Sequence, residues 1–124
     1  VHERLTELGI IALQAGPVSL SDLSCFTAIH QTLLTVFPVV APYWACIPSF
    51  ALPWGFSVAS KLTDPRDLGP AALDRLIGER IGADLRYYDG STHQMSFLLP
   101  KYLRQRLQEE KRIIEDNFPL FTFH

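Results

Sequence analysis

The sequence predicts the end of an α/β domain and not the whole of one. Three observations carry this: a four-residue apolar run, Ile10-Ile11-Ala12-Leu13, closed by Gln14-Ala15-Gly16-Pro17; a helical pattern directly after it; and two β-rich segments on either side of a proline-bounded turn. Consecutive apolar residues of this length read as a strand buried on both faces, the signature of a parallel sheet under helices. Three candidate strands make a small sheet, and the first is too apolar to leave a face uncovered. Missing strands, from an absent or separate segment, are therefore expected, and residues 1–124 read as an incomplete C-terminal part of one domain.

Each element follows from local pattern. Leu5 and Leu8 give a weak helical face that Gly9 can end. Ser19 with Asp22 forms a capping-box pattern, after which Leu23, Phe26, His30, Leu33 and Leu34 recur at helical spacing up to Phe37. Val39–Ile47 and Trp54–Ser60 are rich in β-formers, with Pro48 and Pro53 confined to the loop between them, so a hairpin is expected. Asp64 or Thr63 can cap a turn with Pro65 in its first position, and Gly69-Pro70 restarts a helix carrying Leu73, Leu76, Ile77 and Ile81. Leu85–Tyr88 reads as a short extended segment before an Asp89-Gly90 turn, with Ser91, backed by Gln94, capping a brief helix. Pro100 suits the start of a last helix with Leu103, Leu107 and Ile114 on one face and the pairs Arg106/Glu110 and Lys111/Glu115 on the other.

Composition narrows the function classes. Eleven Lys and Arg against thirteen Asp and Glu give a net charge of -2, too balanced to steer a chain toward a phosphate backbone, so nucleic acid is not an expected partner. Pro38, Pro42, Pro48 and Pro53 break up the most apolar region, leaving no run of about 20 residues able to cross a bilayer. Cys25 and Cys46 sit in apolar stretches and read as inert buried thiols. The four histidines are too dispersed for a zinc cluster, no metal ligands are assigned, and no phosphate-loop, HExxH or nucleophile-elbow pattern occurs. The acidic pairs Asp64/Asp67, Glu109/Glu110 and Glu115/Asp116 read as caps and wetted charges, so no catalytic residue is assigned.

The most informative run is Tyr43–Phe56, in which aromatics surround the proline-bounded turn. Such a loop can wall a pocket for an aliphatic or cationic ligand, since ring faces attract ammonium groups once water is excluded. The same residues also suit a hairpin that packs its rings into the core.

Within that run, Ile47-Pro48-Ser49-Phe50 followed by Trp54-Gly55-Phe56-Ser57-Val58-Ala59-Ser60-Lys61 resembles the C-terminal part of the polyamine aminopropyltransferases, the spermidine synthase family. Gly9–Gln14, Phe37–Tyr43, and Leu85–Tyr88 with His93, Phe97, Leu98 and Pro100 extend the resemblance in the same order, over roughly residues 5–107. It implies a Rossmann-like, methyltransferase-type sheet with an antiparallel terminal hairpin. The implied activity is transfer of an aminopropyl group from decarboxylated S-adenosylmethionine to an amine such as putrescine. Carried over position by position, Gln14, Phe50 and Trp54 are the expected substrate-binding residues; Phe50 lacks the hydroxyl of the Tyr many members have there, leaving ring packing or cation attraction.

The family's acids, Gly-rich cofactor motif and Asp-rich loop all precede the part resembled. No cofactor is therefore expected on this chain alone, and the implied partner is a missing N-terminal segment or separate chain carrying them. The resemblance also makes a homo-oligomer plausible, with the tail Phe118–Phe123 as a candidate subunit contact, and the expected location is the cytoplasm. His93 matches a family histidine and reads as structural. The alternative reading is a non-catalytic methyltransferase-like subunit or interaction module, favoured by the missing acids and by Phe50.

Overall fold

The computed structural model describes residues 1–117; the Phe118–Phe123 tail and His124 lie outside the described residues. Strands β1 (Ile10–Pro17), β2 (Val39–Cys46) and β3 (Pro53–Ser60) form one sheet in the order β1-β3-β2, with both neighbouring pairs antiparallel. The hairpin of β2 and β3 is the one expected from the β-rich segments, with a single helical turn at Pro48–Phe50 in its loop. Because β3 lies between them, β1 and β2 run in the same direction without touching, and the exits of both strands meet the hairpin loop at one end of the sheet.

Helix α1 (Ser24–Leu34) covers one face of the sheet. Phe26, fully buried, belongs to a cluster with Ala15, Val18, Leu23, Leu99 and Leu103 against which Trp44 packs, while Phe37, Val40 and Ala59 make a second cluster with Leu33 and Ile11. Burying a side chain the size of Phe26 contributes about 1.5–3 kcal/mol. Helices α2 (Pro70–Arg80), α3 (Gly90–Phe97) and α4 (Lys101–Glu109) follow; α3 reaches the opposite face through Phe97, whose ring lies 5.1 Å from that of Tyr43 on β2.

Several expectations are corrected. β1 is longer than four residues and is not buried on both faces: Ile10 is 49% exposed, Ala12 and Gln14 are exposed, and among the described residues β1 pairs with β3 alone. The Ser19/Asp22 pair does not cap α1; these residues bridge each other, Asp22 N–H donating to the Ser19 carbonyl at 3.1 Å, and α1 starts after Leu23, which the core takes up. Asp89, not Ser91, caps α3 by accepting from the Thr92 N–H at 2.8 Å. Leu85–Tyr88 is exposed and forms no strand. α4 stops at Glu109, so Glu110 pairs with Arg112 at 2.8 Å instead of Arg106, and Ile114 leaves the helix to donate its N–H to Thr32 Oγ1. Cys46 is exposed, not buried, while Cys25 is half-buried.

Candidate functional site

The positions of Gln14, Phe50 and Trp54 follow from strand register. Gln14 on β1 stands opposite Phe56 on β3, and Phe56 stands opposite Tyr43 on β2, so these three side chains form a row across one face of the sheet. Trp54 lies two residues before Phe56 and so shares that face, one row nearer the hairpin loop. Phe50, on the loop, brings its ring to 4.6 Å from that of Trp54 at an interplanar angle of 52°. Residues from positions 14, 50 and 54 are thus gathered at one end and on one face of the sheet.

Two backbone devices hold this end. The β1 ladder shifts register between Gln14 and Gly16, so Ala15 is an extra residue that turns into the core. Gly16 sits at φ 85°, a left-handed conformation that glycine adopts without a Cβ clash. On leaving β1 the chain ties itself to the loop, the Val18 N–H donating to the Pro53 carbonyl at 3.0 Å. The loop turns through Phe50 N–H to Ile47 carbonyl at 2.9 Å and a left-handed Ala51 at φ 60°.

The wall is aromatic and open. Tyr43 and Phe56 stack at 5.1 Å with 14° between their planes, and burial pushes the Tyr43 phenol above its usual range. Gln14 is exposed, Trp54 half-buried and Phe50 39% exposed. An amide, two rings and the neighbouring stack can orient an aliphatic cation by ring attraction and one polar contact, but they supply no base for removing a proton.

The carboxylates singled out by sequence work elsewhere. Asp64 caps the Pro65–Asp67 turn and holds Arg66 through two side-chain contacts of 2.9 Å, which keep its carboxyl below the usual range. Glu110 accepts from buried Thr27 Oγ1 at 2.7 Å and from Arg112, so it is a latch across the chain and not a wetted charge. His93 is a tie: its Nε2 lies 2.7 Å from the Pro65 carbonyl, which only accepts, so Nε2 carries the proton and Nδ1 accepts from Tyr88 Oη at 2.6 Å. Its ring packs on Phe97 at 4.9 Å, linking the α3 region to the Tyr43–Phe56 stack. The aromatic row was hidden from sequence reading because strand register, not spacing along the chain, assembles it.

A polyamine aminopropyltransferase of Sulfolobus acidocaldarius is 40% identical over 118 residues, covering 95% of this chain and 39% of that protein. The chain matches the C-terminal part of the polyamine aminopropyltransferase family. It spans about two fifths of the length of the aminopropyltransferases it matches. Among solved structures, spermidine synthase from Thermotoga maritima aligns with a TM-score of 0.69 at 24% identity over 84% of this chain and 36% of its own. A spermidine synthase in complex with the transition state analogue AdoDATO aligns with a TM-score of 0.66, also at 24% identity, over 81% of this chain and 34% of its own. These alignments establish the fold: the aminopropyltransferase-like chain is the C-terminal portion of a Rossmann-like, methyltransferase-type α/β sheet ending in an antiparallel hairpin. No protein-family model matches the chain.

Proposed function

We propose that residues 1–124 are the C-terminal segment of an enzyme that transfers an aminopropyl group from decarboxylated S-adenosylmethionine to a polyamine acceptor such as putrescine, and that they form one wall of the amine pocket. The observation that carries this reading is the convergence of Gln14, Trp54 and Phe50 at the strand exits, on the face they share with the Tyr43–Phe56 stack. In the reaction, the amine nitrogen forms a bond to the carbon beside the sulfonium, the carbon–sulfur bond breaks to give a neutral thioether, and the amine gives up a proton. Gln14 and the rings orient the acceptor's aliphatic chain and far ammonium group. The proton acceptor and the cradle for the sulfonium co-substrate come from a preceding segment or separate chain, in keeping with the share of the relatives that this chain covers. The complete protein works in the cytoplasm, as a homo-oligomer.

The test is aminopropyl transfer by the full-length polypeptide with decarboxylated S-adenosylmethionine and putrescine, followed by mass spectrometry of the polyamine product. Product formation is expected, with none from residues 1–124 alone. Trp54→Ala is expected to raise KM for the amine about tenfold, the loss of one ring's cation attraction and packing, with a smaller change in kcat. Absence of product from the full-length polypeptide would overturn the reading in favour of the non-catalytic subunit, for which Phe50 in place of a hydroxyl-bearing residue is the specific support.

A further inference from the structure

Helix α3 is fastened differently from α1. Its buried residues are Gly90, His93 and Ser96, none of them a large apolar side chain, whereas α1 buries Phe26. Apolar burial is non-directional, so the orientation of α3 has to come from hydrogen bonds, which are directional. The Gly90 N–H donates to Asp74 Oδ1 at 2.7 Å, and the backbones approach so closely there that a Cβ on Gly90 would lie 2.1 Å from the Pro70 carbonyl oxygen. One turn further on, His93 donates from Nε2 to the Pro65 carbonyl at 2.7 Å and accepts at Nδ1 from Tyr88 Oη at 2.6 Å. The segment carrying Pro65 is itself anchored to the end of β3, where buried Ser60 Oγ donates to the Thr63 carbonyl.

What α3 delivers to the sheet is Phe97, one turn beyond His93. Its ring lies 4.9 Å from that of His93 and 5.1 Å from that of Tyr43, so it links the two. Tyr43 stacks on Phe56, and Phe56 stands opposite Gln14 on β1. A half-buried ring such as Tyr43 keeps one rotamer only while its neighbours hold it, and Phe97 and Phe56 are those neighbours. Tyr88, which His93 holds, supplies a second link: burial first and the Tyr43 phenol second push its own phenol above the usual range, which puts the two phenols in one neighbourhood. Tyr88, His93 and Phe97, adjacent in one sequence motif, therefore converge on the far end of the row that begins at Gln14.

We infer that His93 is a positioning residue for the amine wall: by fixing α3 to Pro65 and Tyr88 it sets Phe97 against Tyr43, and so holds the Tyr43–Phe56 stack in place beside Gln14. The inference rests on the proposed aminopropyl transfer and extends it to residues that do not touch the amine. Its test uses the full-length polypeptide with putrescine and decarboxylated S-adenosylmethionine, together with fluorine NMR of fluorotyrosine incorporated in place of Tyr43. His93→Leu is expected to raise KM for putrescine about fivefold, with kcat and KM for the co-substrate changing by less than about twofold. His93→Gln, which keeps a donor for the Pro65 carbonyl, should fall between it and the parent, and the fluorine resonance should shift in the same order. Phe97→Leu leaves the His93 hydrogen bonds in place and should produce a similar rise in KM, to which His93→Gln adds little, since both act through one contact. A histidine that only supported the fold would lower the melting temperature and the active fraction while leaving KM at the parent value. A parent that transfers no aminopropyl group overturns the amine pocket and this role within it. With an active parent, a parental KM in folded His93→Leu or in Phe97→Leu, fully additive effects of the two sites, or an unmoved fluorine resonance overturns this inference alone.

Discussion

Glu110 fastens the segment after α4 to the first turn of α1, and replacing it with Gln measures that fastening. Its side chain is 8% exposed and accepts from Thr27 Oγ1 at 2.7 Å, from Arg112 Nε and Nη2 at 2.8 Å each, and from the Arg112 N–H at 2.8 Å. Hydrogen bonding to Arg112 is the main cause that brings its pKa from 4.5 down to about 2, opposed by burial and helped by Thr27. At about 1.36 kcal/mol per pH unit, a difference of about 2.5 units sets a ceiling of about 3.4 kcal/mol. Because the Arg112 side chain is 52% exposed, solvent and salt screening reduce the expected contribution to about 1–2 kcal/mol. The folded pKa is the depressed one, so this stability is fully present above about pH 4.5 and is lost as pH falls toward about 2. Urea unfolding of the parent chain and Glu110→Gln across that range should show a gap of about 1–2 kcal/mol at neutral pH that closes in acid. A gap that stays constant from neutral pH to about 2 would show that the carboxylate's charge is not what holds the segment.

Three further outcomes follow from the packing. A Cβ on Gly55 would lie 2.3 Å from Phe26 Cδ2 and 2.8 Å from Val18 Cγ1, so Gly55→Ala should destabilise by about 1–3 kcal/mol, read as a lowered melting temperature. Leu103, 1% exposed at the junction of α4 with α1, should cost about 2–5 kcal/mol when cut to Ala in the same assay. Ala51 holds a left-handed φ of 60° in the hairpin loop, so Ala51→Gly should be neutral or stabilise by up to about 1 kcal/mol in urea unfolding, whereas an ordinary exposed Ala→Gly change costs stability.

Local pattern was enough wherever one residue type decides the outcome. Pro48 and Pro53 fixed the hairpin loop, and Asp64 before Pro65 and Gly69 before Pro70 fixed two helical starts. It failed where a distant partner competes for a side chain. Ser19 and Asp22 look like a capping box, but the core's demand for Leu23 moves the start of α1 beyond them. Glu110 looks like an i,i+4 partner for Arg106, but Thr27, 83 residues away, and Arg112 draw its carboxylate off the helix. The candidate site shows the same division: motif alone nominated Gln14, Phe50 and Trp54, while the Tyr43–Phe56 stack beside them required the register of β2 on β3.

The uncovered side of β1 explains why the first strand reads one way in sequence and another in the structure. An Ile-Ile-Ala-Leu run suits a strand with neighbours on both edges and helices on both faces, yet β1 pairs among the described residues only with β3 and leaves Ile10 49% exposed. An unpaired edge of this kind invites another strand, and native proteins otherwise blunt such edges with charge, Pro or a bulge. β1 has its bulge and Pro17 only at the exit, beside Gln14, where they shape the candidate pocket, while Ile10–Leu13 carries no such protection. The exposed edge and the amide at its end therefore point to the same requirement: a segment pairing with β1 would also stand across from Gln14, on the side where the proposed reaction needs a proton acceptor.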